Sequence, residues 1–376
     1  MVIKVIKKVI SRYHYILYMG LSFVILDFFI RNSNRGLGYI SCFDLSPNLF
    51  TLAWVLLLIF IILLFKGRIK KISYFVILGF YQIMLLTNYI YFGIFGTFFS
   101  FKSLGLAGEA KEYFQMIFDY INLSLVIVVL VSIGLGIMAC RFMPKGKTKG
   151  DKIVTIFLLL SSLICYGSAR FFLGEAADIN EWDTWTNKRN VYNSFSDTRK
   201  SLQTSGFYEY TMRDIYLSKI EVLFKNNEED ITYLDKYFES YYEGEGYNKA
   251  IDEVASDGFK GIFKDKNIIL VLMESIDNWM VNDEMMPTLT RLMEEGINFT
   301  NHYSPIYGGG ATFNTEFMLN TGYMTPLNGE NASNKYGNNY FPYSLPNLFT
   351  NSKYRVNSFH ENVSSFYNRG QMSKAF

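Results

Sequence analysis

The sequence predicts a bundle of five transmembrane helices followed by an extracellular α/β domain with a mostly parallel sheet. Three observations carry this expectation. Half of the 376 residues are hydrophobic, and they concentrate before residue 173 in five long runs. The basic residues stand beside those runs on alternate loops. From residue 266 onward, short continuous apolar runs alternate with helical patterns, as in sheets whose strands are buried on both faces.

The expected spans are 13–30, 49–65, 72–95, 121–140 and 153–173. A helix rises 1.5 Å per residue, so about 20 apolar residues cross a hydrocarbon core of about 30 Å. Lys4, Lys7, Lys8 and Arg12 precede the first span, and Lys66, Arg68, Lys70 and Lys71 separate the second from the third. Arg141, Lys145, Lys147, Lys149 and Lys152 separate the fourth from the fifth. The other two loops are poorer: Arg31 and Arg35 in one, Lys102 and Lys111 beside Glu109 and Glu112 in the other. The positive-inside rule places the three rich segments in the cytoplasm, with the N-terminus inside. Five crossings then put everything after Leu173 outside a plasma membrane. The first run has no small-residue cleavage site after it and reads as a retained helix.

Net charge is +2, which gives no argument for a nucleic-acid partner. The cysteines are Cys42, Cys140 and Cys165. None lies beyond Leu173, so a metal held there takes oxygen and histidine ligands. Asp27 falls inside the first span. Intramembrane carboxylates are functional candidates by default, but the favoured reading places Asp27 near the outer interface, hydrated by headgroups.

Residues 174–265 are polar, aromatic and charged and read as an extracellular connector. Trp182 and Trp185 suit an interfacial belt. From Tyr208 to Tyr242 the apolar spacing is helical, which predicts a stalk lying along the membrane or packing on the outer domain. The outer domain begins at residue 266. The run 267–273 predicts a buried strand ending at Glu274 and Ser275. Pro287 opens a helix over 288–295 closed by Gly296. A second strand is expected over 297–303, a helix over 312–319, a helix over 345–351 and a strand over 354–359. Ligands in such sheets bind beyond the carboxyl ends of strands, where Glu274, the loop around Gly308, Gly309 and Gly310, and His360 all fall.

Glu274 supplies a hard carboxylate oxygen at a strand tip, suited to Mg²⁺, Mn²⁺ or Ca²⁺; alone it reads equally as a solvated carboxylate. Thr312 follows the glycine run at the start of a helix, whose free N–H groups suit a phosphate. Its hydroxyl is a candidate nucleophile on a metal, or simply a helix cap. Asn314 and Glu316 read as capping and surface polarity. His360, Tyr367 and Arg369 follow the last strand, and Arg and His both suit a phosphate.

Taken together, the apolar run into Glu274 and Ser275, Gly310 to Phe317, Phe359 to Asn362 and Phe366 to Arg369 resemble the lipoteichoic acid synthase family, within the wider alkaline phosphatase and sulfatase-like superfamily. That family has five membrane helices, a helical connector and an outer enzymatic domain. The resemblance implies a Mn²⁺- or Mg²⁺-dependent transferase moving glycerol phosphate from phosphatidylglycerol to a glycolipid or growing polymer. It implies Glu274 and Thr312 as metal ligands, Thr312 as the nucleophile, and His360, Tyr367 and Arg369 as lining the donor headgroup site. Tyr367 stands where relatives often carry Trp. The family's later Asp-His pair would fall beyond Phe376, so the outer domain is expected to be incomplete, with further ligands supplied past residue 376 and little activity from 376 residues alone.

Three other readings compete. A phosphoethanolamine transferase shares the plan but usually carries outer-domain disulfides, absent here. A sulfatase or phosphodiesterase of the same fold is the second, and a sulfatase needs Cys or Ser where Ala311, Thr312 and Phe313 stand. A non-catalytic membrane protein with a degenerate outer domain is the reading from another class. Abundant Lys, Asn, Ile and Tyr with no outer cysteines point to a Gram-positive bacterium.

Overall fold

A computed structural model describes residues 2–33, 44–104, 113–144, 148–178, 186–195, 197–221, 264–273, 276–301, 312–325, 331–360 and 366–376, with a few isolated positions between them. The chain divides into two compact units, one formed by Met1–Ser218 with Ile306–Phe376 and the other by Lys219–Pro305.

Helix α1 (Val2–Ser33), α2 (Leu45–Leu64), α3 (Gly67–Phe95), the short α4 (Phe114–Tyr120), α5 (Leu123–Phe142) and α6 (Lys149–Phe171) follow in order. Five stretches are long and apolar enough to cross a membrane: Ser11–Ser33, Leu45–Leu64, Gly67–Phe95, Leu123–Phe142 and Gly150–Phe171. They overlap the five expected runs. Helix α2 packs along α6, and α1 along α5. The core between them is apolar and aromatic: Met19, Phe23, Leu26, Ile62, Tyr74, Leu78, Tyr81 and Leu125 are buried. The opposite faces carry large apolar side chains turned outward, among them Leu17, Val76, Ile83, Leu130, Phe157 and Ile164. In water that belt would be an exposed patch on every helix; in lipid it is the required surface.

Local chemistry sets the helix ends. Asn122 caps α5, its Oδ1 accepting the Leu125 N–H at 3.0 Å. Asp151 in the first turn of α6 accepts the Thr148 N–H at 2.6 Å. It also accepts from Arg12 Nη2 at 2.7 Å and the Tyr13 hydroxyl at 3.0 Å, tying α6 to α1.

The described part of the connector packs into the bundle rather than running along the membrane or onto the outer domain. Helix α7 (Lys188–Ser194) leads into α8 (Thr198–Ile215), which sinks into the bundle against α2 and α1. Phe207, Tyr208 and Tyr210 are fully buried. Only a π-helical turn, Tyr216–Ile220, continues the described helix, and most of 222–242 lies outside the described residues. The physical reason is polar anchoring. Glu209 accepts hydrogen bonds from Trp54 Nε1 at 2.6 Å, Tyr192 at 2.6 Å and Tyr166 at 3.1 Å. Asp214 accepts from the Ser100 hydroxyl at 2.6 Å and the Phe101 N–H at 2.7 Å. Buried carboxylates satisfied in this way fix a helix in one place.

Asp27 overturns its expected setting in the same region. Its side chain is only 1% exposed, ion-paired to Arg31 at 2.7 Å rather than hydrated. Arg31 also donates to Asn48 at 2.7 Å. The other Asp27 oxygen accepts the Phe207 N–H at 2.8 Å. That N–H is available because Gly206 breaks the helix with φ +75. A Cβ at Gly206 would meet Thr51 Oγ1 at 2.8 Å and Pro47 O at 3.0 Å, so this position requires glycine for its backbone conformation and for the close approach alike.

In the 219–305 unit, Pro287–Glu295 forms the expected helix (α9), with Pro at its start and Gly296 at its end. Among the described residues there is no strand. The run 267–273 has no regular structure, and Ile268 to Met273 are exposed, Ile269 at 86%. A strand needs a neighbour for its N–H and C=O groups, and none is described beside 267–273 or 354–360. Trp182, Trp185, His302 and Tyr303 lie outside the described residues.

Candidate functional site

The segment 306–376 builds a small aromatic core. Helix α10 (Thr312–Thr321), α11 (Ala332–Tyr336), α12 (Leu345–Asn351) and α13 (Arg369–Ala375) surround it. Phe313 and Phe317, four residues apart on α10, point inward to meet Ala332, Met372 and Ala375. Tyr336 stacks on Phe317 with ring centres 5.4 Å apart, and Phe341 meets it edge-on. Asn314 is buried and accepts the Ala332 N–H at 2.9 Å, joining α10 to α11. That is a structural tie rather than the surface polarity expected of it.

Thr312 is the first residue of α10 and half-buried, so it stands at the end of the helix where backbone N–H groups lack intrahelical partners. Glu316 lies one turn further on the same face as Thr312. It forms an ion pair with Arg369 at the start of α13. The Arg369 guanidinium also lies over the Phe313 ring, 5.5 Å from its centre. The pair is mostly buried, with side-chain exposures of 11% for Arg369 and 22% for Glu316. Sequence reading assigned Glu316 to the surface. The one available signal was its spacing of four from Thr312, since its partner Arg369 lies 53 residues further along the chain.

The turn into α13 is conformationally costly. Tyr367 and Asn368 both have φ of 52, in the left-handed region. Such residues cost about 1–2 kcal/mol each, less for Asn. The turn persists because its surroundings hold it. Asn368 Nδ2 donates to Ser333 O at 3.1 Å, the Gly370 N–H donates to Ser364 O at 2.7 Å, and Tyr367 packs on the aromatic core. Strain held in place by neighbours is often found where a site must be preorganised. His360 is exposed, and its ring stacks on Phe366 at 6.1 Å, which in turn meets the Tyr367 ring at 4.6 Å.

Four of the five expected site residues therefore fall in this segment. Thr312 and Arg369 are linked through α10 and Glu316, while Tyr367 and His360 are linked through Phe366. Glu274 and the Gly308 to Ala311 loop lie outside the described residues. Among the described residues no group of three acidic, histidine or cysteine side chains could hold a metal. The donors expected for a cation, a carboxylate and a threonine hydroxyl, are hard oxygens of the chemistry Mn²⁺ and Mg²⁺ take. They fill two of about six positions.

Residues 266–376 match the Sulfatase family. Over 337 residues the chain is 24% identical to the lipoteichoic acid synthase of Staphylococcus aureus, as found in strains USA300, NCTC 8325 and COL, covering 86% of this chain and 48% of the relative. The chain thus spans about half the length of the curated relatives it matches. No solved structure matches it.

Proposed function

We propose that this chain, a relative of the lipoteichoic acid synthases whose residues 266–376 fall in the Sulfatase family, works as a membrane-anchored phosphoglycerol transferase. Its donor is phosphatidylglycerol and its acceptor a glycolipid or a glycerol-phosphate polymer. The observation that carries this reading is the grouping in 306–376: a threonine opening a helix, with an arginine held one turn along by a carboxylate.

The chemistry follows from that grouping. The Thr312 hydroxyl attacks the donor phosphorus and forms a new O–P bond. The bond from phosphorus to the diacylglycerol oxygen breaks, and diacylglycerol leaves as an alcohol after taking up a proton. A threonine-linked glycerol phosphate remains. An acceptor hydroxyl then attacks the same phosphorus, and Thr312 departs with a proton. Charge shifts on the phosphoryl oxygens in both steps, so Arg369 and the first-turn N–H groups of α10 stabilise it. Tyr367 and His360 wall the headgroup site. Glu274 and Thr312 would hold a Mn²⁺ or Mg²⁺ ion, which when bound neutralises phosphate charge and lowers the hydroxyl pKa. On this reading Glu274 ends the first strand of a parallel sheet, and the outer domain faces away from the cytoplasm, as the basic loops require.

The test is headgroup transfer from labelled phosphatidylglycerol, in vesicles with Mn²⁺, by this chain carrying a completed outer domain, since little activity is expected of residues 1–376 alone. Thr312→Ala should lower the rate by at least about 1,000-fold, the scale lost with a covalent nucleophile, while the helical circular dichroism stays unchanged. Transfer at the unaltered rate by the folded variant would remove Thr312 from the mechanism.

A further inference from the structure

We propose that Glu316 is a positioning residue for phosphate recognition, holding the Arg369 guanidinium beside the first turn of α10. This rests on the reading of Arg369 as part of the donor site. A helix brings residues four apart onto one face, so Glu316 follows Thr312 along α10. The ion pair to Glu316 engages Nη1 of Arg369. The guanidinium plane is further fixed by the Phe313 ring beneath it, 5.5 Å from the Arg369 carbon. The side chain that carries it starts from the strained turn at Tyr367 and Asn368. An arginine side chain is floppy when left alone; here two contacts and a fixed starting point hold it.

The second observation is an open valence. Nε of Arg369 is buried and has no hydrogen-bond partner among the described residues. A guanidinium offers five N–H donors in a planar fork, and a single carboxylate contact leaves most of them unspent. A buried orphan donor is costly; Arg213 Nε on α8 is in the same condition, but only Arg369 of the two lies in the segment that holds Thr312. An anion with several acceptor oxygens, such as a phosphate ester, is the chemical class that would satisfy it while Glu316 keeps its grip on Nη1.

A purely neutralising role for Glu316 makes the opposite prediction. If the carboxylate only quenched the arginine, removing its charge would strengthen anion binding. If it positions the fork, removal weakens binding although the site becomes more positive.

The measurement is calorimetric binding of glycerol 1-phosphate to the detergent-solubilised full chain with Mn²⁺ present. Glu316→Gln keeps the shape of the side chain, and its affinity should fall about tenfold, the scale of one charge-assisted hydrogen bond lost. Glu316→Asp, which keeps the charge but shortens the reach, should fall by a smaller factor and carries the test if the glutamine variant does not fold. Arg369→Ala should lose binding, and added guanidinium ion should restore part of it. The double variant Arg369→Ala with Glu316→Gln should show no such restoration, because the docking carboxylate is gone. Unchanged or tighter binding by Glu316→Gln, or equal rescue with and without Glu316, would overturn the positioning role. Binding by the unaltered chain that survives Arg369→Ala, or no binding by the unaltered chain, would instead overturn the donor-site reading beneath it.

Discussion

In the bundle, Asp27 holds Arg31, and Arg31 spends a further donor on Asn48 while the second Asp27 oxygen takes the Phe207 N–H. In the 306–376 segment, Glu316 holds Arg369, whose Nε is left without a described partner. Both are acid–arginine pairs with little exposure. One is closed on all sides and locks a helix into place. The other is held from one side and keeps donors to spare. The same contrast runs through the surroundings. Glu209 sits in a cage of Trp54, Tyr166 and Tyr192, each donating to it. The turn at Tyr367 and Asn368 instead carries conformational strain. Arg213 Nε on α8 is also buried without a partner, but that guanidinium is packed over the Tyr192 ring, whereas Arg369 lies in the segment that holds Thr312, where an unpaired donor marks a place kept ready for something else.

This contrast can be broken from the bundle side first. Asp27→Ala leaves Arg31 buried without its carboxylate and frees the Phe207 N–H. Loss of one partner from a buried pair costs about 3–5 kcal/mol. Thermal unfolding in detergent should show a drop of that order, with α8 released to proteolysis; an unshifted midpoint would mean the pair is not structural. Phe317→Ala empties the centre of the small aromatic core, where Ala332, Met372 and Tyr336 meet it. A loss of about 3 kcal/mol is expected, eased if the cluster relaxes. It should lower the protease resistance of the 306–376 segment and leave the bundle intact.

The smallest effect concerns Asp214. Burial raises its pKa above the ordinary carboxylate value, opposed by hydrogen bonds from Ser100, the Phe101 N–H and Ser218. An acid with a raised folded-state pKa binds its proton more tightly when folded. Its contribution is therefore fully present below the unfolded pKa and is lost as pH rises through the folded one. Relative to Asp214→Asn, the unaltered protein should lose stability as pH rises from the ordinary carboxylate range toward neutrality. Parallel pH profiles of the two proteins would contradict this.

The five spans were legible because apolar length and flanking charge are properties of composition. Their edges moved for local reasons. Helix α3 begins at Gly67, among basic residues of which Lys66, Arg68 and Lys71 are exposed while Lys70 is buried against the Tyr15 ring, and α5 begins where Asn122 caps it. The helices after Pro287 and Ser344 were legible from their start signals. The docking of α8 was not. Its sequence is polar, and its burial depends on partners at Asp27, Trp54 and Ser100 that lie more than 100 residues away. Gly206 within a helical pattern was the one local sign. In the candidate site, residue types and spacing picked out Thr312 and Arg369, but the carboxylate joining them was invisible, since an ion pair between residues 53 apart leaves no periodic trace.

The central claim is that Thr312 carries the glycerol phosphate during transfer. The direct measurement is peptide mass spectrometry of the chain carrying a completed outer domain, after brief incubation with phosphatidylglycerol vesicles and Mn²⁺. The account predicts a glycerol-phosphate adduct on the peptide containing Thr312, which disappears on adding acceptor and never forms in Thr312→Ala. Transfer with no adduct, or an adduct on another residue, would contradict it.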